Sequence, residues 1–334
     1  MKNFKFIILA ILFAFTIPYM YGGCVVVYSS GGFDQDENQT DDGTGVEFVG
    51  LTSQATITTV NAEPLAAGAL AGGLSEAAPQ SLKLSRIADS SRPDFFRPLR
   101  VPLALIDGLR RIELDAELDI AGHSDVITES NNLAGSGGGV LAYTLTFDRM
   151  SGEFSGELLF DNYCQGANRI SGGTDVEGTF EASSGVFNTA VLSFDDLADE
   201  THTLDGEISM DFTDTPVVAT FSVYSTDKQS GQVYWLKDYS INLTEFWNRV
   251  EIEIFGTFYH PDNGFVRLET SEPFIVFGAE DWPAAGELMI QGSRATRARL
   301  TTVDSSSYRI EADTTGDGSF DWVSAILNWK SDNG

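Results

Sequence analysis

The chain has 334 residues and a formal net charge of −29, from 49 acidic and 20 basic side chains, with three histidines and two cysteines. This excess of negative charge excludes nucleic acid as a partner, because phosphate binding requires clustered Lys and Arg, and two cysteines exclude a disulfide framework. Twenty-three Phe, ten Tyr and five Trp instead supply an apolar core large enough to stabilise a domain without one.

The first element is a targeting segment over residues 1–23. Lys2 and Lys5 precede an apolar run from Phe6 to Ile17, Pro18 breaks it, and Tyr21-Gly22-Gly23 leads to Cys24. A charged start, a short apolar stretch and small residues before a cut point describe a secretory signal peptide. The run is shorter than the about 20 apolar residues that span a bilayer. Small residues followed by Cys resemble the lipobox of bacterial lipoproteins. The resemblance implies that Cys24 becomes the first mature residue and carries the lipid. Tyr21 departs from that family, which has an aliphatic residue there. Val25 stands where the family's inner-membrane retention signal has Asp, which implies the outer membrane. Two other uses of Cys24 stay open: an ordinary residue beyond the cleavage site, or a partner for Cys164. Residues 24–45 then form a tether, because Asp34, Asp36, Glu37, Asp41 and Asp42 with Gly, Ser and Asn offer almost nothing to bury.

Residues 46–139 read as a mixed N-terminal segment. Val46 to Val60 alternates and predicts a first strand. Ala62 to Pro79 reads as an Ala/Gly linker, since its glycines argue against a stable helix. A short helical segment is expected near residues 80–110, in two pieces: Gln80 to Asp89, and Pro102 to Gly108 with Pro102 in its first turn. Six arginines between Arg86 and Arg111 concentrate positive charge there and are expected to pair with the acidic body.

From Val140 to the end, short alternating runs such as Leu141-Ala-Tyr-Thr-Leu-Thr-Phe147 follow one another. Ser151-Gly152, Ser184-Gly185, Ser230-Gly231 and Asn263-Gly264 punctuate them. This pattern predicts an all-β domain over residues 140–334, an antiparallel meander forming a barrel or a two-layer sandwich. A repeat of 34 residues relates Leu159-Phe160-Asp161-Asn162 to Ser193-Phe194-Asp195-Asp196, and Ile170-Ser171-Gly172 to Leu204-Asp205-Gly206. Two copies favour a repeated hairpin over a solenoid.

One motif carries its own chemistry. Asp313, Asp317 and Asp321 hold positions 1, 5 and 9 of a calcium-type loop, with Gly318 at position 6. Thr315 replaces the usual Asp, and Ser324 replaces the bidentate Glu at position 12, so any Ca²⁺ would be held weakly. The competing reading is a plain β-hairpin turn with solvated acids. No other cofactor is expected.

That loop, followed by Leu327-Asn328-Trp329, resembles the C-terminus of uncharacterised Gram-negative bacterial lipoproteins. Phe160-Asp-Asn-Tyr-Cys164 and Phe258-Tyr-His-Pro-Asp262 are similar to recurring patches of the same group. The resemblance covers Leu141 to Trp329. It implies a β-rich lipoprotein of the cell envelope and no established activity. His123, His202 and His260 lack metal-ligand spacing, and Cys164 reads as a small buried residue. The expectation is therefore an outer-membrane-anchored lipoprotein, facing the periplasm or the cell surface, with a binding or structural role. It would meet the membrane through its lipid and an envelope protein, a lipid or a polysaccharide through its body. Trp235, Trp247 and Trp282 are candidate contact aromatics in a sandwich. The alternative is a secreted hydrolase using a carboxylate site drawn from Asp161, Asp195 and Asp196.

Overall fold

A computed structural model describes residues 47–70, 125–135, 137–165, 168–182, 186–277 and 282–329. Cys24, the tether, the arginine-rich segment, His123 and the helices expected near residues 80–110 lie outside the described residues.

The β meander is present, among the described residues, as one sheet of fifteen strands. They are β1 (Val126–Ala134), β2 (Val140–Asp148), β3 (Glu153–Gln165), β4 (Asn168–Glu181), β5 (Val186–Ala198), β6 (His202–Asp211), β7 (Val217–Asp227) and β8 (Val233–Glu245). The rest are β9 (Arg249–His260), β10 (Gly264–Phe277), β11 (Ala285–Gln291), β12 (Arg297–Asp304), β13 (Ser307–Asp313), β14 (Trp322–Val323) and β15 (Leu327–Asn328). Strands β1 to β14 are hydrogen-bonded in chain order, and β15 joins β13. The sheet is single and is not closed, so it is not a barrel. It also begins fourteen residues earlier than the alternation in the sequence indicated, because β1 has Ser, Asn and Glu where the other strands have apolar residues.

The alternation sets the two faces. In β2 the side chains of Leu141, Tyr143, Leu145 and Phe147 are buried on the inner face, while Thr144, Thr146 and Asp148 turn outward. Their neighbours repeat the pattern with Phe154, Leu158 and Phe160 on β3 and with Ala190, Leu192 and Phe194 on β5. Near one end of the strands Phe147, Phe154, Phe180 and Phe187 interlock, with ring centroids of Phe154 and Phe187 4.6 Å apart. All belong to one contiguous core.

The described part of the expected linker, residues 62–70, is in fact helical. Helix α1 (Ala62–Leu70) buries Leu65, Ala66, Ala69 and Leu70 beneath β9 to β13. Nine residues containing Gly68 have little helical stability of their own, so tertiary burial decides the conformation. The small side chains that made the segment look like a linker are those that allow close approach to the sheet. At its C-terminus the Tyr239 hydroxyl donates to the carbonyls of Ala69 (3.2 Å) and Leu70 (3.4 Å).

The strand expected over 46–60 is instead an extended segment laid along the sheet, with one bridge between Gln54 and Phe265. Ala55 donates to the Phe265 carbonyl at 2.8 Å, and Ile57 donates to Thr296 Oγ1 at 3.0 Å beside the 3₁₀ turn Ser293–Ala295. Phe48 docks on the outer face against Trp235 and Tyr259, with centroids 6.0 and 5.6 Å away.

Because the strands alternate in direction, hairpin turns fall on two rims. Turns β2–β3, β4–β5, β6–β7, β8–β9, β10–β11 and β12–β13 share one rim, here rim A. The remaining turns share rim B.

Candidate functional site on the outer face

The internal repeat is a repeated bulge. Pairing of β3 with β4 slips between Phe160 and Tyr163, and pairing of β5 with β6 slips between Phe194 and Leu197. Each slip sets two residues against one, Asp161-Asn162 against Ser171 and Asp195-Asp196 against Asp205. The second of each pair is left-handed, with φ of 48° at Asn162 and 57° at Asp196, a conformation that Asn and Asp tolerate better than most residues. Its free amide is capped from the opposite strand. Asn162 N–H donates to Ser171 Oγ at 3.2 Å, and Asp196 N–H donates to Asp205 Oδ1 at 2.8 Å. The residue after each cap is a glycine of positive φ, Gly172 and Gly206. Thus the 34-residue echo records a cap, a glycine and a bulge. A related bulge, Asp238-Tyr239 facing Gly256, has a left-handed Asp and no polar cap.

Asp205 is 2% exposed. Burial pushes its pKa above the usual carboxylate range. The Asp196 amide opposes that shift, and the charges of Asp196 and Asp195 reinforce it.

Beside these bulges lies a groove of about 730 Å³ across β3 to β7. Its floor follows one register line: Glu157 faces Asp175, Asp175 faces Ser193, Ser193 faces Glu207, and Glu207 faces Ser222. Asp195 and Leu159 also line it, and Gly173 and Gly206 keep it open. Directly opposed cross-strand residues have Cβ atoms about 4.5–5.5 Å apart, so Glu157 and Asp175 repel one another across the floor. Such a trough attracts a positive group, and the hydroxyls of Ser193 and Ser222 add hydrogen-bonding partners.

Of the carboxylates named for hydrolysis, Asp195 lies in this groove, while Asp196, at the left-handed bulge position, and Asp161 are outside the lining. Asp161 and Asp195 sit on strands two apart, roughly 10 Å from each other at 4.8 Å per strand. Glu157, Asp175 and Glu207 belong to no motif in the sequence. They converge only through register, which no local pattern encodes.

The C-terminal loop does not bring Asp313, Asp317 and Asp321 to one point. Asp313 is fully buried. Its Oδ1 accepts the Gly316 amide at 2.7 Å and its Oδ2 the Gly318 amide at 2.8 Å. Burial alone would raise its pKa, but the amides of Gly318, Gly316 and Asp317 and the Arg297 guanidinium hold it below the usual carboxylate range. Asp321 accepts from the amide and hydroxyl of Thr314, both at 2.8 Å, and Asp317 accepts the Ser319 amide at 2.8 Å. Each carboxylate thus ties the loop to itself. Among the described residues, no three His, Cys, Asp or Glu side chains group as a metal site. Arg297 donates to the Gly318 carbonyl, and Phe320 lies under both Arg297 and Arg299. The closing Trp329 stacks on Tyr308 at 4.4 Å and on Trp282 at 5.6 Å, so Trp282 is a core residue.

His202 is buried on rim B, with Nδ1 3.8 Å from Asp199 and Nε2 3.6 Å from Asp227. His260 Nδ1 accepts the Asp262 amide at 3.1 Å. Cys164 is buried. Trp235 stacks between Tyr224 and Tyr259 beneath Phe48, whereas Trp247 is 79% exposed.

Comparison with protein-family models, with curated proteins and with solved structures finds no match to this chain.

Proposed function

We propose that this protein is a lipoprotein of the outer membrane, held through Cys24, whose β sheet displays an acidic outer face for binding a cationic ligand of the envelope. The carrying observation is the register line of Glu157, Asp175 and Glu207 along one open groove. Opposed like charges destabilise an empty sheet face and are relieved when a cation sits between them. Fitting ligands are a lysine-rich peptide segment or an amino sugar of a polysaccharide. Both combine a positive group with the hydrogen bonds that Ser193 and Ser222 offer.

The two parts are tested separately. Palmitate labelling of the full chain is expected to disappear in Cys24→Ala, and labelling that persists removes the anchor. Titration with oligolysine and with chitosan oligomers is expected to show salt-sensitive binding that weakens at least tenfold in a Glu157→Gln, Asp175→Asn, Glu207→Gln variant. Equal affinity in that variant, or no heat of binding for either probe, removes the groove.

A further inference from the structure

We propose that rim A rests on the surface of a lipid bilayer, with the β8–β9 hairpin tip as its deepest point. Trp247 and Phe246 at that tip are 79% and 44% exposed, and Phe277, opposite Arg249 on β10, is 40% exposed. They are the exposed large aromatic residues among the described ones. Met150, on the β2–β3 turn of the same rim, is 80% exposed, and Val186 opens β5 there at 45%. Rim B has polar turns, including Asp199-Glu200-Thr201 and Lys228-Gln229-Ser230. Exposed Val49, Leu51, Val60 and Val140 lie toward it without an aromatic residue.

The spacing of these residues selects the occupant. Met150 and Trp247 lie six strands apart, about 29 Å along the sheet at 4.8 Å per strand. Each turn contributes only one or two apolar side chains. A compact protein partner needs a contiguous patch of aromatic anchors, whereas a flat fluid interface meets separated tips on one rim at once. Trp at a tip suits that interface, with its ring among acyl chains and its N–H among headgroups. The Arg249 guanidinium lies 4.5 Å over the Phe246 ring and bonds Glu251 at 2.9 Å, so this tip brings little uncompensated positive charge. The chain as a whole carries −29, which an anionic leaflet repels. The lipid is therefore zwitterionic.

The proposal rests on the anchored reading, and the covalent geometry permits it. Phe48 docks toward rim B, and strands of up to 14 residues place rim A about 46 Å away. The 23 residues from Cys24 to Val46 can span at most about 75–80 Å.

The test uses the full acylated chain on vesicles of phosphatidylcholine brominated in its acyl chains, with flotation reporting the anchor independently. Part of the tryptophan emission is expected to be quenched, and Trp247→Phe, a substitution at an exposed position, is expected to abolish that quenched part. Floating protein with no quenching, or with equal fractional quenching in both chains, overturns the proposal. Protection of Trp247 by a soluble glycan or envelope protein without bromolipid quenching overturns it in favour of that partner. Protein that fails to float overturns the anchored reading on which the proposal stands.

Discussion

A carboxyl group that accepts one amide and is otherwise walled off from water favours its neutral form, and Asp205 is placed in this way. Its folded pKa is raised, so the stability it contributes is fully present below the unfolded value of 3.8 and is lost as pH rises through the folded value. Asp205→Asn keeps the acceptor for the Asp196 amide and cannot ionise. At pH 7 it is expected to melt no lower than the parent, and its advantage is expected to close below about pH 4. Asp205→Ala leaves that amide uncapped and is expected to be about 1 kcal/mol less stable than Asp205→Asn by urea denaturation. Asp313 has the opposite sign. Its folded pKa is lowered, so its contribution is present above 3.8 and is lost as pH falls through the folded value. Asp313→Asn is expected to lower the melting temperature at pH 7, with the difference shrinking under acid. Ser171 is the counterpart of Asp205 in the neighbouring repeat, and Asp205→Ser is therefore expected to fold.

At the scale of elements, the glycines behind the bulges set the spacing between strands. A Cβ at Gly206 would lie 2.1 Å from the Ser222 carbonyl oxygen on a backbone of φ +135°, whereas a Cβ at the Gly231 turn, φ +71°, meets nothing within 4 Å. Gly206→Ala is expected to cost at least about 2 kcal/mol by chemical denaturation, and Gly231→Ala about 1 kcal/mol. These elements differ in how far they were legible in the sequence. Most strands from β2 onward were readable because residues such as Leu141, Tyr143, Leu145 and Phe147 alternate with polar ones, and alternation is a local property. Helix α1 was not, because burial against β9 to β13 overrides the poor helical propensity around Gly68. The 34-residue echo was visible, yet its meaning required the pairing of Asp205 with the Asp196 amide. The groove was invisible for the same reason: Glu157, Asp175 and Glu207 are far apart along the chain and meet only once register is set. The calcium spacing of Asp313, Asp317 and Asp321 was plain, but spacing does not report where carboxylates point. Loop amides take them here, so the melting temperature is expected to be equal in millimolar Ca²⁺ and in EDTA.

At the scale of the whole molecule, every strand from β2 to β13 is paired with the strands before and after it in the chain. Sheet formation therefore needs few distant contacts, which favours rapid assembly from successive hairpins. The inward carboxylate of Glu129 on the terminal strand β1, bonded by the Tyr143 hydroxyl at 3.0 Å, discourages continuation of the apolar face into another molecule. Glu129→Val is expected to produce concentration-dependent association by sedimentation. The repeated bulge has a further consequence, for the history of the chain. Two strands with one cap, one glycine and one bulge form a module whose two ends match, so the sheet can lengthen by duplication without disturbing its neighbours. Shortening obeys the same rule. Excision of residues 163–196 joins Asn162 to Leu197 across equivalent positions, and the product is expected to fold as a monomer two strands narrower, with a cooperative melt.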